Sequence, residues 1–368
     1  TASHAPQNEG LIDLSGVVPA ILPPVAVSEA LAQVSEGSED LHETLVRHRL
    51  ATEYRIPERN LALVTDLDVA VAGVAAQTTG PLVLFPPNAT PGSLGAVLER
   101  RPLVELARGY SRDGAITLDA ASDLPHGGVA VITSPGDPLA NVLSANDAVR
   151  LARSCAWLII DERYADYAGQ SLLNVAREFP NVIILRSFQA RLGPTESNAG
   201  WATGSPRARD LLGAVSSNLP PGIAQAFLAA SCDKAASRML LSLVRDERSR
   251  LYRALRKLSS LQPLPSWGPF VAARVEVGNR DMLVSLLCAR GIQVHAPREP
   301  GLERYVRIGI GARSAMEYLR RTLLEIAPEM LGAQLASSSR DPYRLTLRGE
   351  EFGQPEFCQV EERRERSA

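Results

Sequence analysis

The stretch from Gly128 to Arg186 contains three short apolar runs, GVAVIT (128–133), WLIID (157–161) and VIILR (182–186). Each run is rich in β-branched residues or leucine and is bounded by Gly, Pro or polar residues, which predicts buried strands. Between the first two lies SANDAVRLARSC, which has helical spacing and begins with a plausible N-cap, Ser144. Apolar strands separated by helices favour a mainly parallel sheet covered on both faces.

The same alternation extends toward the N-terminus, where NLALV (60–64) and PLVLF (81–85) are further candidate strands. We therefore predict a large α/β domain over residues 46–235. Residues 221–258 begin after a Pro-Pro pair and keep apolar residues at helical spacing, which predicts one long helix.

The remainder of the chain predicts a smaller, mixed domain. The segments FVAARVEV, RDMLVSLLCAR, IQVHA, YVRIGIG and SAMEYLRRTLLEI suggest the order β-α-β-β-α within residues 236–332. We expect residues 1–45 to form an N-terminal arm and to contribute to this small domain. Residues 333–368 are polar and weakly periodic, and we interpret them as a tail.

Composition excludes several classes of partner. The chain has 368 residues, a formal net charge of −2 and no run of basic residues, which argues against a nucleic-acid surface. Its longest apolar stretches are about seven to ten residues, well below the ~18–20 needed to cross a bilayer. The opening TASHAPQNEG lacks the pattern of a secretory signal, so we expect a cytoplasmic protein. The cysteines lack metal-ligand spacing and are predicted to be free thiols: Cys155, Cys232, Cys288 and Cys358.

Six segments in order resemble fold-type-I enzymes that use pyridoxal phosphate (PLP), particularly histidinol-phosphate aminotransferases and threonine-phosphate decarboxylases. The resemblance covers about residues 11–328, and the segments that carry it are LIDLSGVVPAILPP (11–24), HRLATEYRIPERNLALVTD (48–66), SPGDPLANVLS (134–144), IIDERYADY (159–167), LRSFQARLG (185–193) and YVRIGIG (305–311). It implies an aminotransferase-like fold, with a mainly parallel seven-stranded sheet and a small α+β domain. It also implies a homodimer with pockets at the subunit interface.

The resemblance assigns roles to three retained residues. Asp161 matches the DEAY aspartate that bonds the pyridine nitrogen and keeps it protonated. Tyr164 matches the tyrosine that bonds the ring hydroxyl. Arg307 matches the arginine that binds the substrate carboxylate, a task suited to its planar, two-pronged guanidinium.

Other positions depart from the family pattern. Ala190 stands where the resemblance places the Schiff-base lysine, so no amine is available there to bind PLP covalently. Carboxylates appear in place of an Asn-Gly-Ser loop whose amides hold the phosphate, and in place of an asparagine beside the ring. The aromatic expected after the second strand is absent from FPPNATPG. The positions of the degenerate cofactor site are Asp66, Leu67, Asp68, Ser187, Gln189, Ala190, Arg191 and Asn198, with Asp137 at the asparagine position.

No other side chain is a good substitute for the lysine. The chain has only two lysines, Lys234 and Lys257, and both are predicted to be solvated charges on the long helix. Arg191 stays protonated and is a poor nucleophile, so we expect it to form a salt bridge. The five histidines show no metal-ligand spacing. His295 falls where the resemblance suggests a strand facing the active site.

These observations predict a pseudo-aminotransferase that works without PLP or a metal. It would bind a small carboxylate-bearing molecule through Arg307, or a partner protein such as an active aminotransferase. One alternative is a repurposed, PLP-independent enzyme of specialised biosynthesis, with Asp161, Tyr164, Asp137 or His295 as acid and base. A second is a residual aminotransferase that holds PLP non-covalently.

Overall fold

A computed structural model describes residues 11–32, 39–87, 94–98, 100–106, 109–110, 116–117, 127–193, 195 and 197–338. In chain order the strands are β1 (Ile12–Leu14), β2 (Leu61–Val64), β3 (Leu82–Leu84), β4 (Leu103–Glu105), β5 (Gly109–Tyr110), β6 (Ile116–Thr117), β7 (Val129–Thr133), β8 (Trp157–Asp161), β9 (Val182–Ser187), β10 (Gly200–Gly204), β11 (Leu261–Pro263), β12 (Phe270–Val275), β13 (Ile292–Val294) and β14 (Tyr305–Gly309). The α-helices are α1 (Val25–Ala32), α2 (Glu39–Tyr54), α3 (Leu67–Ala76), α4 (Gly95–Leu98), α5 (Ala145–Ser154), α6 (Ala165–Ala168), α7 (Leu173–Glu178), α8 (Gln189–Leu192), α9 (Arg209–Val215), α10 (Pro221–Cys232), α11 (Lys234–Leu255), α12 (Arg280–Cys288) and α13 (Arg313–Ser338).

The central sheet has seven strands in the order β2-β10-β9-β8-β7-β3-β4. β10 is antiparallel to both neighbours, and the other pairs are parallel, as predicted. The inner strands β7, β8 and β9 are apolar except at their C-terminal ends, because helices cover both faces. Ile160 and Ile184 belong to the apolar cluster on one face, whereas Ile159 and Leu185 belong to the cluster on the other.

The C-terminal part forms a second layer of structure with its own core. Strands β11, β12 and β14 make an antiparallel sheet, and β1 pairs in parallel with β13. The N-terminal segment is therefore held by the C-terminal part of the chain. Buried side chains from β12, β14 and α13, such as Val271, Ile308 and Leu319, fill this core.

The single long helix predicted over residues 221–258 is wrong. The chain leaves the helical region at Asp233 (φ −102°, ψ 74°), and the Asp233 carboxylate accepts a hydrogen bond from the Ala236 N–H at 2.9 Å. Helix α10 therefore ends at Cys232. Helix α11 begins after Asp233, whose carboxylate satisfies a free backbone amide at the N-terminus of this helix. At the C-terminus, α13 continues through Pro328 to Ser338, so the first residues of the predicted tail are helical. Residues 339–368 lie outside the described part.

Smaller predictions were confirmed or fall outside the described residues. Ser144 caps α5 by accepting from the Asp147 N–H at 3.0 Å. Cys155, Cys232 and Cys288 form no disulfide bond among the described residues. The middle of FPPNATPG and Cys358 are among the residues that the structure does not describe. Within the described segments, no helix combines the length and apolar character that a bilayer span requires.

Candidate functional site

The parallel strands bring the predicted site residues to one edge of the sheet. Thr133 of β7 is paired with Asp161 at the end of β8, and Asp161 is paired with Leu185 of β9. The loops after these strands therefore start side by side, as in other open α/β sheets. The first turn of α3, which follows β2, and Arg307 of β14 complete the arrangement.

Asp161 is buried and is bonded to a neighbour two residues along the chain. The backbone N–H of Arg163 donates to Asp161 Oδ1 at 3.0 Å, and Arg163 Nε donates to Oδ2 at 2.7 Å. Arg163 Nη2 lies 2.6 Å from the same Oδ2 and 2.5 Å from Asp68 Oδ1. The guanidinium thus bridges a carboxylate at the end of β8 and one in the first turn of α3.

Burial of Arg163 would by itself lower its pKa, but the carboxylates of Asp161 and Asp68 raise the pKa well above its usual value. Arg163 therefore remains charged. It is not among the residues predicted from the sequence, although a signal was present. The segment reads DERY where the resembling motif reads DEAY, which places an arginine at an alanine position.

A second carboxylate occupies the N-terminus of α3. Asp66 Oδ1 accepts from the backbone N–H groups of Asp68 at 2.7 Å and Val69 at 3.1 Å. Asn198 Nδ2 donates to the same oxygen at 3.3 Å, and the Asn198 carbonyl accepts from the Leu67 N–H at 3.0 Å. A negative charge is favourable at this position because the helix N-terminus has free amides and a positive dipole end.

The loop after β9 is bonded within the protein as well. Ser187 Oγ accepts from the Gln189 N–H at 3.0 Å, and Gln189 Nε2 donates to the Ser197 carbonyl at 3.2 Å. Ala190 is only 1% exposed and packs in the apolar core of the C-terminal part. Arg191 donates to both carboxylate oxygens of Glu53, which confirms the expected salt bridge.

Arg307 is buried and holds a carboxylate of the same chain. Its Nη1 donates to Asp137 Oδ1 at 2.5 Å, and its Nη2 donates to the Ser15 carbonyl at 2.6 Å. The guanidinium lies 5.3 Å from the centre of the Phe270 ring. Arg307 Nε is buried without a hydrogen-bond partner among the described residues. One donor of this arginine is therefore unused.

Tyr164 and His295 lie beside this ion pair. Tyr164 packs edge-on against Phe270, with ring centres 5.6 Å apart. Burial, followed by the nearby Asp137, raises the pKa of Tyr164 well above its usual value, so its hydroxyl stays protonated. His295 exchanges two backbone hydrogen bonds with Arg307, at 2.8 and 3.0 Å. Burial and the Arg307 charge lower the pKa of His295 to about 4, so its ring is neutral at neutral pH.

The structure thus divides the predicted residues into two adjacent groups. The first is Asp66, Asp68, Asn198 and Asp161, at the end of the central sheet, and Arg163, which the sequence did not predict, joins it. The second is Asp137, Tyr164, His295 and Arg307, between the sheet and the C-terminal part. The lysines belong to neither group: Lys234 is the exposed first residue of α11, and Lys257 is exposed just beyond its end. Within the described residues, no cluster of His, Cys, Asp and Glu could hold a metal ion.

This fold, with its candidate site at the carboxyl edge of a mainly parallel seven-stranded sheet, defines an aminotransferase-like α/β protein. The model of the family "Aminotransferase class I and II" matches residues 98–324, and the chain belongs to this family.

Curated relatives include histidinol-phosphate aminotransferases. Histidinol-phosphate aminotransferase 2 of Archaeoglobus fulgidus is 30% identical over 200 residues, covering 53% of this chain and 57% of the relative. The enzyme of Thermococcus gammatolerans is 25% identical over 331 residues, or 87% of this chain and 91% of the relative. With the first three relatives, the aligned part of the chain spans only 57–58% of their length.

Solved structures show the same fold. The histidinol-phosphate aminotransferase of Sinorhizobium meliloti, determined in complex with pyridoxal-5'-phosphate, superimposes with a TM-score of 0.74 at 20% identity. The superposition covers 87% of this chain and 92% of that one.

Proposed function

We propose that this chain is a pseudo-aminotransferase that acts by binding, without PLP and without catalysing amino transfer. The observation that carries this proposal is the position of Arg163. Its guanidinium is bonded to Asp161, the residue that the resemblance assigns to the pyridine nitrogen, and it extends to Asp68. The Arg163 side chain therefore occupies the carboxylate that would bond the pyridine nitrogen of PLP.

The remaining residues also do not fit PLP, which brings a phosphate dianion, a protonated ring nitrogen and an aldehyde. Asp66 and Asp68 place carboxylates where the phosphate would bind, and like charges about 4 Å apart repel by ~1 kcal/mol even in water. Asp66 already accepts the amides of α3 that would otherwise hold an anion. Ala190 offers a buried methyl group to the aldehyde. We therefore assign no reaction step to this cofactor.

We further propose that Arg307 is the residue that recognises a carboxylate-bearing ligand. In the absence of a ligand, Asp137 supplies the carboxylate, and the unused Nε offers one more donor. A ligand would therefore bind by exchange with Asp137, which keeps its affinity modest. Because of this competition, replacing Asp137 should raise the affinity of the site for a carboxylate ligand.

The catalytic alternatives have less support. A general base needs a carboxylate or imidazole that is free to accept a proton. Asp161 and Asp137 are each ion-paired with an arginine. Residual binding of PLP would need a free phosphate site, and the α3 amides are already capped by Asp66.

A homodimer remains part of the proposal because the resemblance implies one. Large apolar side chains are exposed in the N-terminal segments, including Leu22 at 85% and Val25 at 72%, which supports contacts with another chain. Light scattering on the purified protein tests this point. The mass of a monomer at all concentrations would contradict it.

The decisive experiment for PLP independence is a titration with PLP, followed by borohydride reduction and mass-spectrometric mapping of lysines. A histidinol-phosphate aminotransferase serves as the positive control. We expect no saturable absorbance change of a bound cofactor in this protein. Since Lys234 and Lys257 are its only lysines and neither belongs to the candidate site, an adduct at either lysine is not a Schiff base of that site, and the Lys234→Arg/Lys257→Arg variant should remove it. Saturable PLP binding that survives in this variant and is abolished by Asp161→Ala would refute the proposal.

A further inference from the structure

Apart from the candidate site, a cavity lies on the face of the central sheet opposite to Asp161. Its volume is about 470 Å³, and it is bounded by the end of α2, the segment after β8 and one face of α11. Arg186, which lines it, is adjacent to Leu185 on β9 and points to the opposite face, away from Asp161. We propose that this cavity binds a small molecule that carries two or more negative charges, as phosphate or carboxylate groups.

The positive charge of the cavity comes from one face of α11. Lys234, Arg238 and Arg245 are four and seven residues apart, so their side chains lie along the same side of the helix. Among the residues that the structure describes, no carboxylate lies within 4.0 Å of any of the three cationic groups. Arg245 is anchored by the Tyr167 and Asp166 carbonyls, at 3.1 and 2.7 Å.

The deeper cations of the cavity are neutralised by the protein. Arg186 is buried and forms ion pairs with Glu162, at 3.4 Å, and with Asp166. Its guanidinium lies 5.1 Å from the centre of the Tyr54 ring. Arg191 is paired with Glu53. These pairs set three carboxylates against two arginines, and the three cations of α11 leave the cavity with a net positive charge in a chain whose formal charge is −2.

This combination suits a small, multiply charged anion. The cavity volume falls within the ~300–1,000 Å³ that ligand sites commonly have. Concave positive surfaces concentrate field lines and attract anions. Guanidinium and ammonium groups form strong charge-assisted hydrogen bonds to phosphate and carboxylate oxygens.

Isothermal titration calorimetry on the full chain tests the proposal, with pyrophosphate and citrate as probes at constant ionic strength. The Lys234→Gln/Arg238→Gln variant removes two charges from the cavity. The Arg256→Gln/Lys257→Gln variant removes the same two charges from exposed positions just after α11 and is the matched control. Circular dichroism verifies that both variants are folded.

We expect at least one probe to bind the wild-type chain, with about tenfold or greater weakening in the cavity variant and no change in the control. The preferred probe distinguishes a phosphate ligand from a carboxylate ligand. Binding should persist in Arg307→Ala, because Arg307 does not line this cavity. The proposal is overturned if neither probe binds wild-type protein, or if both double variants lose affinity equally, as a general charge effect would produce.

Discussion

Nε of Arg163 lies 2.7 Å from Oδ2 of Asp161, and the same guanidinium reaches Asp68, whose position is 95 residues earlier in the chain. Asp66 is bonded to the amides of α3, and Asp137 is bonded to Arg307. In each case a charged group of the chain meets a partner that the resemblance would assign to a cofactor or a substrate. The charged groups of the candidate site are thus bonded within the protein.

The Arg163–Asp161 pair should contribute strongly to stability. Arg163→Ala leaves the buried Asp161 carboxylate without its cation, and we expect a loss of about 3–5 kcal/mol in the free energy of unfolding. Urea denaturation measures the loss. The exposed Arg150–Asp147 pair is the control, and Arg150→Ala should cost about 1 kcal/mol or less. Similar losses for both variants would contradict the assigned role of Arg163, and Arg163→Ala/Asp161→Asn should recover part of the stability.

Asp66 should behave as a helix cap that occupies an anion site. Asp66→Ala frees the amides of Asp68 and Val69, and we expect a loss of about 1 kcal/mol, most of which Asp66→Asn should restore. The freed amides should also bind an external anion. Inorganic phosphate should therefore raise the melting temperature of Asp66→Ala more than that of the wild type, as measured by differential scanning calorimetry. Equal shifts would show that Asp66 does not compete with anions.

Asp137 should compete with any carboxylate ligand of Arg307. Asp137→Asn removes the internal carboxylate, so we expect it to bind a monocarboxylate, pyruvate or alanine, about tenfold more tightly than the wild type. Calorimetry measures both affinities. Arg307→Ala is the control and should bind neither compound. If Arg307→Ala binds as well as the wild type, Arg307 is not the ligand's partner.

His295 should make stability depend on pH. Its pKa is about 4 in the folded protein and about 6.5 when unfolded, so between these values only the unfolded chain binds the proton. The His295 contribution to stability is therefore complete above about pH 6.5 and is lost progressively toward pH 4. His295→Gln should flatten the pH dependence of the unfolding free energy in this interval. Parallel curves for His295→Gln and the wild type would contradict this prediction.

The sequence predicted the sheet because each buried strand is a separate apolar run with turn residues at its ends. WLIID matches β8 residue for residue, and the N-cap at Ser144 was predicted from local chemistry. The break at Asp233 was missed because good helix formers stand on both sides of it. Local spacing gives no sign that the two segments are separate helices.

The candidate site was predicted only in part. The resemblance supplied Asp161, Tyr164, Arg307 and the substituted positions, but it did not supply Arg163 or any of the pairings. Arg163 could have been noticed as an arginine at the alanine position of a motif. Asp161 is only two residues from Arg163 in the sequence. The pairing with Asp68 could not be predicted, because only the strand order brings Asp68 close.

The sequence by itself determined the class of fold and the absence of an amine at Ala190, since apolar periodicity and residue identity are properties of the chain alone. Only the tertiary structure decided which charges neutralise one another. Asp137 and Arg307 are 170 residues apart, and they meet because the C-terminal part of the chain packs over the edge of the central sheet. Ion pairing depends on distances of a few ångströms, and the packing of distant segments sets those distances.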